Sequence, residues 1–286
     1  MRNLLIFGYG FSAKVFAAQM RAKGWTIAAT TRDTAKADTM RAEGITPLIW
    51  PGQDVTAALS AASHVLISAG PGVAGDPVLN ALRDQFGGAR HLEWLGYLST
   101  TGVYGDTGGG WVDENTPRNP ATTRGQLRVA AEDAWLSLFT ESAIPVQIFR
   151  LAGIYGPGRG PFAKLRNGTA RRIIKEGQVF SRIHVDDIAQ VLAASIDHPN
   201  PGQAYNVCDD FPAPPQDIIA DAAALLGMGP PPEESFDSAQ MGDMAKSFYA
   251  ESKRVSNTRI KSELGVKLIH PDHHSGLRAI LQAEGN

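Results

Sequence analysis

The chain of 286 residues predicts an α/β fold, in which a doubly wound parallel sheet carries helices on both faces and a smaller lobe follows near the C-terminus. Strand-like and helix-like segments alternate through the first two thirds of the chain, as such a sheet requires. The first strand-like run ends in a glycine-rich turn that leads directly into a helical pattern. Composition then changes at 156–161, a Gly-Pro-Gly-Arg-Gly-Pro segment that cannot continue a regular element.

The first strand and the turn after it carry the most specific pattern. An apolar run from residue 3 ends at Gly8-Tyr9-Gly10-Phe11-Ser12-Ala13, a Gly-x-Gly-x-x-Ala pattern. Gly8 permits a tight exit from the strand, Gly10 leaves room for a phosphate, and Ala13 lets the helix pack closely. The helix start at Phe11 and Ser12 would present free N–H groups to a dinucleotide pyrophosphate. We therefore predict a dinucleotide site here, the alternative being an ordinary strand-to-helix turn.

The second strand, 25–32, indicates which dinucleotide is bound. Sites for NAD usually place an acidic residue at the end of this strand, where it accepts a hydrogen bond from the ribose 2′-hydroxyl. That position holds Thr31, followed by Arg32, and a guanidinium suits a 2′-phosphate better. NADP is predicted over NAD, which stays open because Asp33 lies one residue further on. Arg32 as a solvated loop cation is the alternative.

The remaining elements continue the alternation. Strands are predicted at 45–50, 64–69, 91–99, 146–151 and 204–207, and helices at 78–86 and 124–139. Ala69 and Gly70, which end the fourth strand, are expected to contact the cofactor. Residues 1–156 and 183–210 are assigned to a Rossmann-type NAD(P)-binding domain. Residues 157–182 and 211–286 are assigned to a smaller, discontinuous substrate lobe over the carboxyl ends of the strands, where ligands of such folds bind.

Composition limits the class of protein. A formal net charge of −2 gives no electrostatic basis for binding nucleic acid or an anionic membrane, and no apolar run reaches the length of a membrane span. A single cysteine, Cys208, fits a reducing compartment, so a cytoplasmic location is expected. The histidines lack metal-ligand spacing, and the adjacent side chains of His273 and His274 are expected to diverge, so no metal site is predicted.

Four further segments resemble the extended short-chain dehydrogenase/reductase family, which contains nucleotide-sugar epimerases and dehydratases. In an order and spacing that match the family, they are Leu98–Gly105, Phe149–Gly158, Arg182–Ala189 and Ala204–Val207. The resemblance implies an NAD(P)-binding fold with a substrate site beside the cofactor. It also implies that Thr100 hydrogen-bonds the reacting oxygen of the substrate. A hydroxyl that only caps the end of the strand is the alternative.

The chain departs from the family where the family places its Tyr-x-x-x-Lys pair. There the Tyr exchanges a proton and the Lys holds the nicotinamide ribose, whereas the matching positions hold Arg124 and Arg128. Arginine stays protonated and cannot exchange a proton near neutral pH. Thr101 and Gly102 stand where the family's sugar dehydratases have an acidic pair, which disfavours dehydration. The chain thus resembles the atypical branch that keeps the nucleotide site and lacks the Tyr-Lys pair.

Two functions remain open. The first is an NADP-dependent oxidoreductase, a reductase or epimerase-like enzyme, acting on a carbonyl or sugar-nucleotide-like small molecule. Thr100 would position the carbonyl, Arg128 would hold the ribose, and Arg124 would bind a substrate carboxylate or phosphate. Tyr104 would be the proton donor if its phenol reaches the nicotinamide; packing beneath the strand end is its alternative role. The second is a non-catalytic NADP(H)-binding redox sensor. A methyltransferase also starts from a glycine turn, but the later segments have no role in one.

Several other polar residues favour structural roles. Asp186 and Asp187 are expected to cap the helix that follows them, and His184 to hydrogen-bond locally. The basic residues between Lys164 and Lys175 either grip an anionic substrate or form a solvated helix face. Apolar surface on the long helix 124–139 favours a homodimer, since related family members dimerise through this helix.

Overall fold

The computed structural model describes residues 2–242, 246 and 248–285. Its strands are β1 (Asn3–Phe7), β2 (Thr26–Thr31), β3 (Thr46–Ile49), β4 (His64–Ile67), β5 (Trp94–Thr100), β6 (Trp111–Val112), β7 (Val146–Leu151), β8 (Gly153–Tyr155), β9 (Arg172–Ile174), β10 (Arg182–His184), β11 (Ala204–Val207), β12 (Glu233–Ser235) and β13 (Arg254–Val255). Its helices are α1 (Phe11–Ala22), α2 (Lys36–Ala42), α3 (Thr56–Ala61), α4 (Pro77–Gly88), α5 (Thr123–Ser142), α6 (Phe162–Arg166), α7 (Val185–Asp197), α8 (Pro215–Leu225), α9 (Thr258–Leu264) and α10 (His273–Ala283).

Seven of these strands form one parallel sheet in the order β11-β7-β5-β4-β1-β2-β3. The chain builds outward from β1 to β3 on one side and from β4 to β11 on the other. The order therefore reverses between β1 and β4, and the loops after these two strands diverge to open a crevice at the carboxyl edge of the sheet. This topology confirms the predicted Rossmann-type, doubly wound sheet.

The apolar run of β1 divides between the two faces of the sheet, because successive side chains of a strand point to opposite sides. Leu4 and Ile6 join an apolar cluster with side chains of α1 and α7. Leu5 and Phe7 join a second cluster with side chains of α4 and α5. Helices thus cover both faces, which explains why the central strands are continuously apolar.

A third apolar cluster forms the core of the smaller lobe. Tyr155, α6, α8 and α10 contribute to it, with Phe162, Ile218 and Leu277 among its buried members. Residues 254–268 were predicted to belong to this lobe and do not: Val255, Ile260 and Leu264 are buried in the cluster around α1 and α7. The reason is that β13 pairs with β6 and α9 packs against β11 and α7.

Among the residues that the structure describes, no helix combines the length and the apolar character needed to cross a membrane.

Candidate active site at the carboxyl edge of the sheet

The glycine turn after β1 has the geometry that its sequence predicts. Gly8 has φ +96°, and a Cβ at this position would lie 2.9 Å from the backbone nitrogen of Ala69. Its N–H donates to the Thr30 hydroxyl at 2.9 Å. A side chain is therefore excluded twice at Gly8, once by backbone conformation and once by the close approach of the segment after β4.

The start of α1 is open to a ligand. Gly10 has φ −97° in extended backbone, and a Cβ there would meet no described atom within 4 Å. Within the described residues no side chain caps this helix, whereas α4 and α5 are capped by Asp76 and Thr122. The first N–H groups of α1, at Phe11 and Ser12, are therefore available to an anion at the positive end of the helix dipole. This arrangement fits a dinucleotide pyrophosphate.

The end of β2 presents a cation. The Thr31 hydroxyl accepts from the Asp33 N–H at 3.1 Å. The Asp33 carboxylate in turn accepts from the Ala35 N–H at 3.0 Å and lies 3.9 Å from Lys36 Nζ. Arg32 is exposed and forms no hydrogen bond or ion pair with another residue of the described ranges. The acidic group is thus engaged in its own turn, and the guanidinium is available.

Arg128 joins the segment after β4 to the end of β5. The half-buried guanidinium donates to the Tyr97 hydroxyl at 3.0 Å and to the Leu98 carbonyl at 2.6 Å. Its Nη2 atom lies 2.8 Å from where a Cβ on Gly70 would be. Since Ala69 also borders Gly8, the turn, Ala69, Gly70 and Arg128 form one continuous wall of the crevice.

Thr100 ends β5 and serves as a cap. Its half-buried Oγ1 accepts from the Gly102 N–H at 3.2 Å and begins the 3-10 turn Thr101–Tyr104. In the part of the chain that is described, its own O–H has no hydrogen-bond acceptor. A hydroxyl can accept a hydrogen bond at its oxygen while its O–H donates another. Thr100 can therefore cap the turn and still donate to a ligand.

Arg124 lies beside this turn. A Cβ on its neighbour Gly125 would be 2.8 Å from the Gly102 carbonyl oxygen, so the first turn of α5 packs directly on the 3-10 turn. Arg124 itself is exposed and has no hydrogen-bond or ion-pair partner among the described residues. An exposed cation therefore starts from the turn of α5 that packs on the 3-10 turn after Thr100.

Tyr104 does not reach this edge, so the condition for its role as proton donor, a phenol that reaches the nicotinamide, is not met. The phenol is 2% exposed. Its hydroxyl donates to Asn206 Oδ1 at 2.7 Å and accepts from Arg150 Nη1 at 2.8 Å. Burial raises the pKa of Tyr104, and both sides of its hydroxyl are occupied, so the side chain takes the alternative role of packing beneath the strand end.

A buried charged network that the sequence reasoning missed lies behind the site. Glu132 is fully buried and accepts from Ser99 Oγ at 2.5 Å, from Arg150 Nη2 at 2.9 Å and from Arg118 Nη1 at 3.2 Å. Ser99 and Arg150 are register partners on β5 and β7, and Arg150 also bonds Tyr104. A charged residue inside a continuously buried strand, as Arg150 is, was the signal available.

Arg159 was also missed as a site residue. The loop 156–161 lies against the start of α1, because a Cβ on Gly156 would be 3.2 Å from Phe11 Cζ. The Arg159 guanidinium carbon lies 5.6 Å from the centre of the Phe11 ring, and the side chain is exposed. A cation therefore stands next to the open N-terminus of α1. Nearly 150 positions separate it from the glycine turn in sequence, which is why spacing alone did not reveal it.

The acidic pair at the start of α7 is used differently from the prediction. His184 caps this helix by accepting from the Asp186 N–H at 3.2 Å, so its local hydrogen bond agrees with the expectation. Asp187 is buried and accepts from the N–H groups of Ile269 and His270 at 2.6 and 3.0 Å. It anchors the segment before α10 instead of capping α7.

The prediction that His273 and His274 diverge is wrong. Their ring centres lie 4.1 Å apart. His273 Nε2 and His274 Nδ1 lie 2.8 and 3.5 Å from the same oxygen of Asp221. The reason is that α10 begins at His273, and successive residues of a helix are only about 100° apart, unlike those of a strand.

The basic residues between 164 and 175 are largely paired within the smaller lobe. Arg171 and Arg172 form ion pairs with Glu234 and Glu233 across the β9–β12 pair, and Arg166 pairs with Glu284 at 3.0 Å. This pairing favours a structural role for the cluster over a substrate-binding one.

An open helix N-terminus after a Gly-x-Gly-x-x-Ala turn, with a hydroxyl at the end of β5 two strands away in the sheet, is typical of a dinucleotide-binding fold. Residues 4–208 match the model of the NAD dependent epimerase/dehydratase family. The chain belongs to this family.

Similar proteins support this assignment. Protein YeeZ of Escherichia coli K12 is 30% identical over 292 residues, which cover 95% of this chain and 97% of that protein. The structure of a conserved protein from Silicibacter pomeroyi DSS matches with a TM-score of 0.94 and 53% identity over 99% of both chains. The dTDP-glucose 4,6-dehydratase of Bacillus anthracis in complex with NAD matches with a TM-score of 0.78 and 17% identity, covering 100% and 97% of the chains. This last likeness shows the shared fold.

Proposed function

We propose that this protein binds NADP(H) at the Gly8–Ala13 turn and transfers hydride between that cofactor and a carbonyl or alcohol carbon of a small anionic molecule. Membership of the family supports a nicotinamide dinucleotide. The observation that carries the rest is the exposed Arg124, which has no partner among the described residues and precedes Gly125, where α5 packs on the turn that follows Thr100. It stands where the family has a tyrosine, so the position serves to bind a negative group instead of exchanging a proton.

The preference for NADP rests on the end of β2. Arg32 is exposed and unpaired among the described residues, while Asp33 is engaged by the Ala35 N–H. A 2′-phosphate would gain charge-assisted hydrogen bonds from Arg32, whereas a ribose 2′-hydroxyl would find no free carboxylate. Arg159, against Phe11, would add a positive charge next to the pyrophosphate.

Each residue then has a separate task. The bound nicotinamide supplies or accepts the hydride. The Thr100 O–H donates a hydrogen bond to the substrate oxygen, and Arg124 binds a carboxylate or phosphate of the substrate. Arg128, fixed by Tyr97 and the Leu98 carbonyl, donates to the nicotinamide ribose. In the reducing direction the substrate oxygen would take its proton from water, because Tyr104 is buried.

Cofactor binding is tested by Gly10→Val against a matched control, Gly88→Val. Neither position has a described atom within 4 Å of a new Cβ or a positive φ, so both variants are expected to fold. Gly10→Val alone should weaken NADPH binding at least tenfold, measured by nicotinamide fluorescence, because its side chain fills the space for the pyrophosphate. Failure of the wild-type protein to bind either dinucleotide would overturn the proposal.

The chemistry is tested with NADPH and matched pairs of anionic and neutral carbonyl compounds, among them sugar nucleotides. We expect turnover to favour the anionic member, and Arg124→Ala to raise KM for it with a smaller effect on kcat. The neutral compounds should be unaffected by Arg124→Ala. Equal KM values in the two proteins would remove Arg124 from the substrate site.

A non-catalytic redox sensor is the second candidate, and the burial of Tyr104 favours it, because this phenol cannot exchange a proton with a ligand. It predicts tight binding of the cofactor, no turnover across the carbonyl panel, and different affinities for NADPH and NADP⁺. Equal affinities for the two forms would refute the sensing role.

A further inference from the structure

Four of the seven histidines of this chain collect around the segment 270–274. The His184 and His270 ring centres lie 4.1 Å apart, and those of His273 and His274 also lie 4.1 Å apart. Each pair faces one aspartate, Asp186 in the first case and Asp221 in the second. Neither group has a task in the cofactor site described above.

We propose that Asp221, His273 and His274 form a binding site for a divalent transition metal ion of the Zn²⁺ class. His273 Nε2 and His274 Nδ1 lie 2.8 and 3.5 Å from one oxygen of Asp221, and all three ligand atoms lie within 4.8 Å of one another. Zinc holds imidazole nitrogen and carboxylate oxygen at about 2.0–2.2 Å in a tetrahedron, which places neighbouring ligand atoms roughly 3.3 Å apart. The observed spacing needs only small side-chain adjustments to match.

Among the described residues, the ligand atoms of this group form polar contacts only with one another. In the described residues, the one hydrogen bond of the His273 ring is that of Nε2 to Asp221, and Nδ1, although buried, has no partner. The other group differs here, because His184 Nδ1 accepts from the Asp186 N–H and caps α7. A metal ion on His184 Nδ1 would remove that cap. The Asp221 group is therefore the better site.

One of the three proposed ligands is buried and the other two are partly exposed, which holds the site in place and lets an ion enter. The His273 side chain is 2% exposed, so this ligand is held inside the protein. Asp221 and His274 are 35% and 48% exposed, so an ion can enter and a water molecule can complete the coordination. Three protein ligands with one open position is a known zinc arrangement.

Phe211 restrains the two rings. Its ring centre lies 5.6 Å from that of His273 and 6.2 Å from that of His274. Asp221 belongs to α8, and the histidines begin α10. A bound ion would therefore join two helices of the smaller lobe, and it would stabilise the folded protein because it binds that state preferentially.

The test is metal binding by the full chain, stripped with EDTA and desalted. Zn²⁺ is titrated against a chromogenic chelator, and Co²⁺ is followed by its visible absorption. We expect one equivalent of metal and a rise in Tm. His274→Ala and Asp221→Asn should each lower the affinity at least tenfold and remove the rise in Tm. The exposed His198 provides the control, His198→Ala, which should bind like the wild-type protein.

Two variants keep the test decisive if one of them fails to fold, which circular dichroism would show. The half-exposed His274 is the safer position to change. The proposal is overturned if the wild-type protein binds no stoichiometric metal, or if both variants bind it with unchanged affinity. It is also overturned if Asp186→Asn abolishes binding while His274→Ala does not. NADPH binding is measured separately, so failure here leaves the proposed function untouched.

Discussion

The start of α1 and the network around Glu132 both lie near the carboxyl edge of the sheet and use their polar groups in opposite ways. At α1 no side chain of the described residues caps the first N–H groups. Arg32 and Arg124 are exposed, and neither has a hydrogen-bond or ion-pair partner among those residues. At Glu132 every charge has a partner, and the buried Arg150 is bound through Nη2 at 2.9 Å. The first region is arranged for a ligand, the second for the fold.

This difference in pairing indicates which polar groups of the protein are available to a ligand. A buried charge must be paired, because an unpaired one is strongly destabilising. Exposed cations and free helix N–H groups are satisfied by water and can exchange it for a phosphate or carboxylate. Tyr104, although it lies in a family motif, belongs with the network around Glu132.

The largest effect is expected for Glu132→Gln, which tests whether the network around Glu132 stabilises the fold. It leaves Arg150 buried without its counter-charge, so we expect a loss of about 3–5 kcal/mol in the free energy of unfolding, measured with urea. The neighbouring Asp133, whose side chain is 57% exposed and also pairs with Arg118, supplies the control. Asp133→Asn should cost less than about 1 kcal/mol. Similar losses in both variants would mean that Glu132 is not a structural anchor.

Tyr104→Phe separates a structural tyrosine from a catalytic one. The change leaves Arg150 Nη1 and Asn206 Oδ1 without a buried partner, and we expect a loss of about 1–3 kcal/mol in the free energy of unfolding. NADPH affinity and any turnover should remain, since the phenol does not reach the crevice. Abolished turnover in a folded variant with normal cofactor affinity would restore Tyr104 as a catalytic residue.

Asp209 is intermediate between the two regions, because it is buried but only partly paired. Its Oδ1 accepts from the Phe211 N–H at 3.2 Å, and Oδ2 has no partner in the described ranges. Burial raises the pKa of Asp209 to about 8, opposed by Arg182 and reinforced by Asp210 and Asp272. The folded state therefore keeps a proton that the unfolded chain releases near pH 4.

This linkage predicts that the contribution of Asp209 to stability falls as the pH rises from about 4 to about 8. Asp209→Asn keeps the acceptor for Phe211 and cannot ionise. We expect the variant to be more stable than the wild-type protein at pH 8, by a margin that shrinks at pH 5, in urea unfolding at both values. The exposed Asp38 provides the control, Asp38→Asn, which should show no such trend. A margin independent of pH would contradict the assignment.

Arg32→Ala is expected to have the smallest effect, and it tests whether the exposed cation at the end of β2 binds the cofactor. Removal of one exposed charge-assisted contact should weaken NADPH binding about tenfold and leave NADH binding nearly unchanged. Stability should not change, because Arg32 forms no hydrogen bond or ion pair with any residue of the described part of the chain. An equal effect on the two dinucleotides would show that Arg32 is not near the 2′ position.

Much of the cofactor site follows from local sequence. The β1 strand, Gly8 and the uncapped α1 are adjacent in the chain, and their conformations depend on residues a few positions apart. The order of β1 to β4 is also largely local, since the crossovers between these strands are short and right-handed by rule. Arg159, Asp187 and the Asp221 group instead depend on partners more than 50 positions away, and no periodicity reports such contacts.

The sequence by itself determined that this chain forms a doubly wound sheet with a glycine turn after its first strand, because glycine spacing and apolar runs are local properties. Only the tertiary structure decided what each polar side chain does. It buried Tyr104, left Arg124 exposed without a partner among the described residues, and turned His273 and His274 toward one carboxylate. Charge and hydrogen-bonding capacity are written in the sequence, but whether a group is satisfied by the protein or by a ligand depends on which distant neighbours folding brings to it.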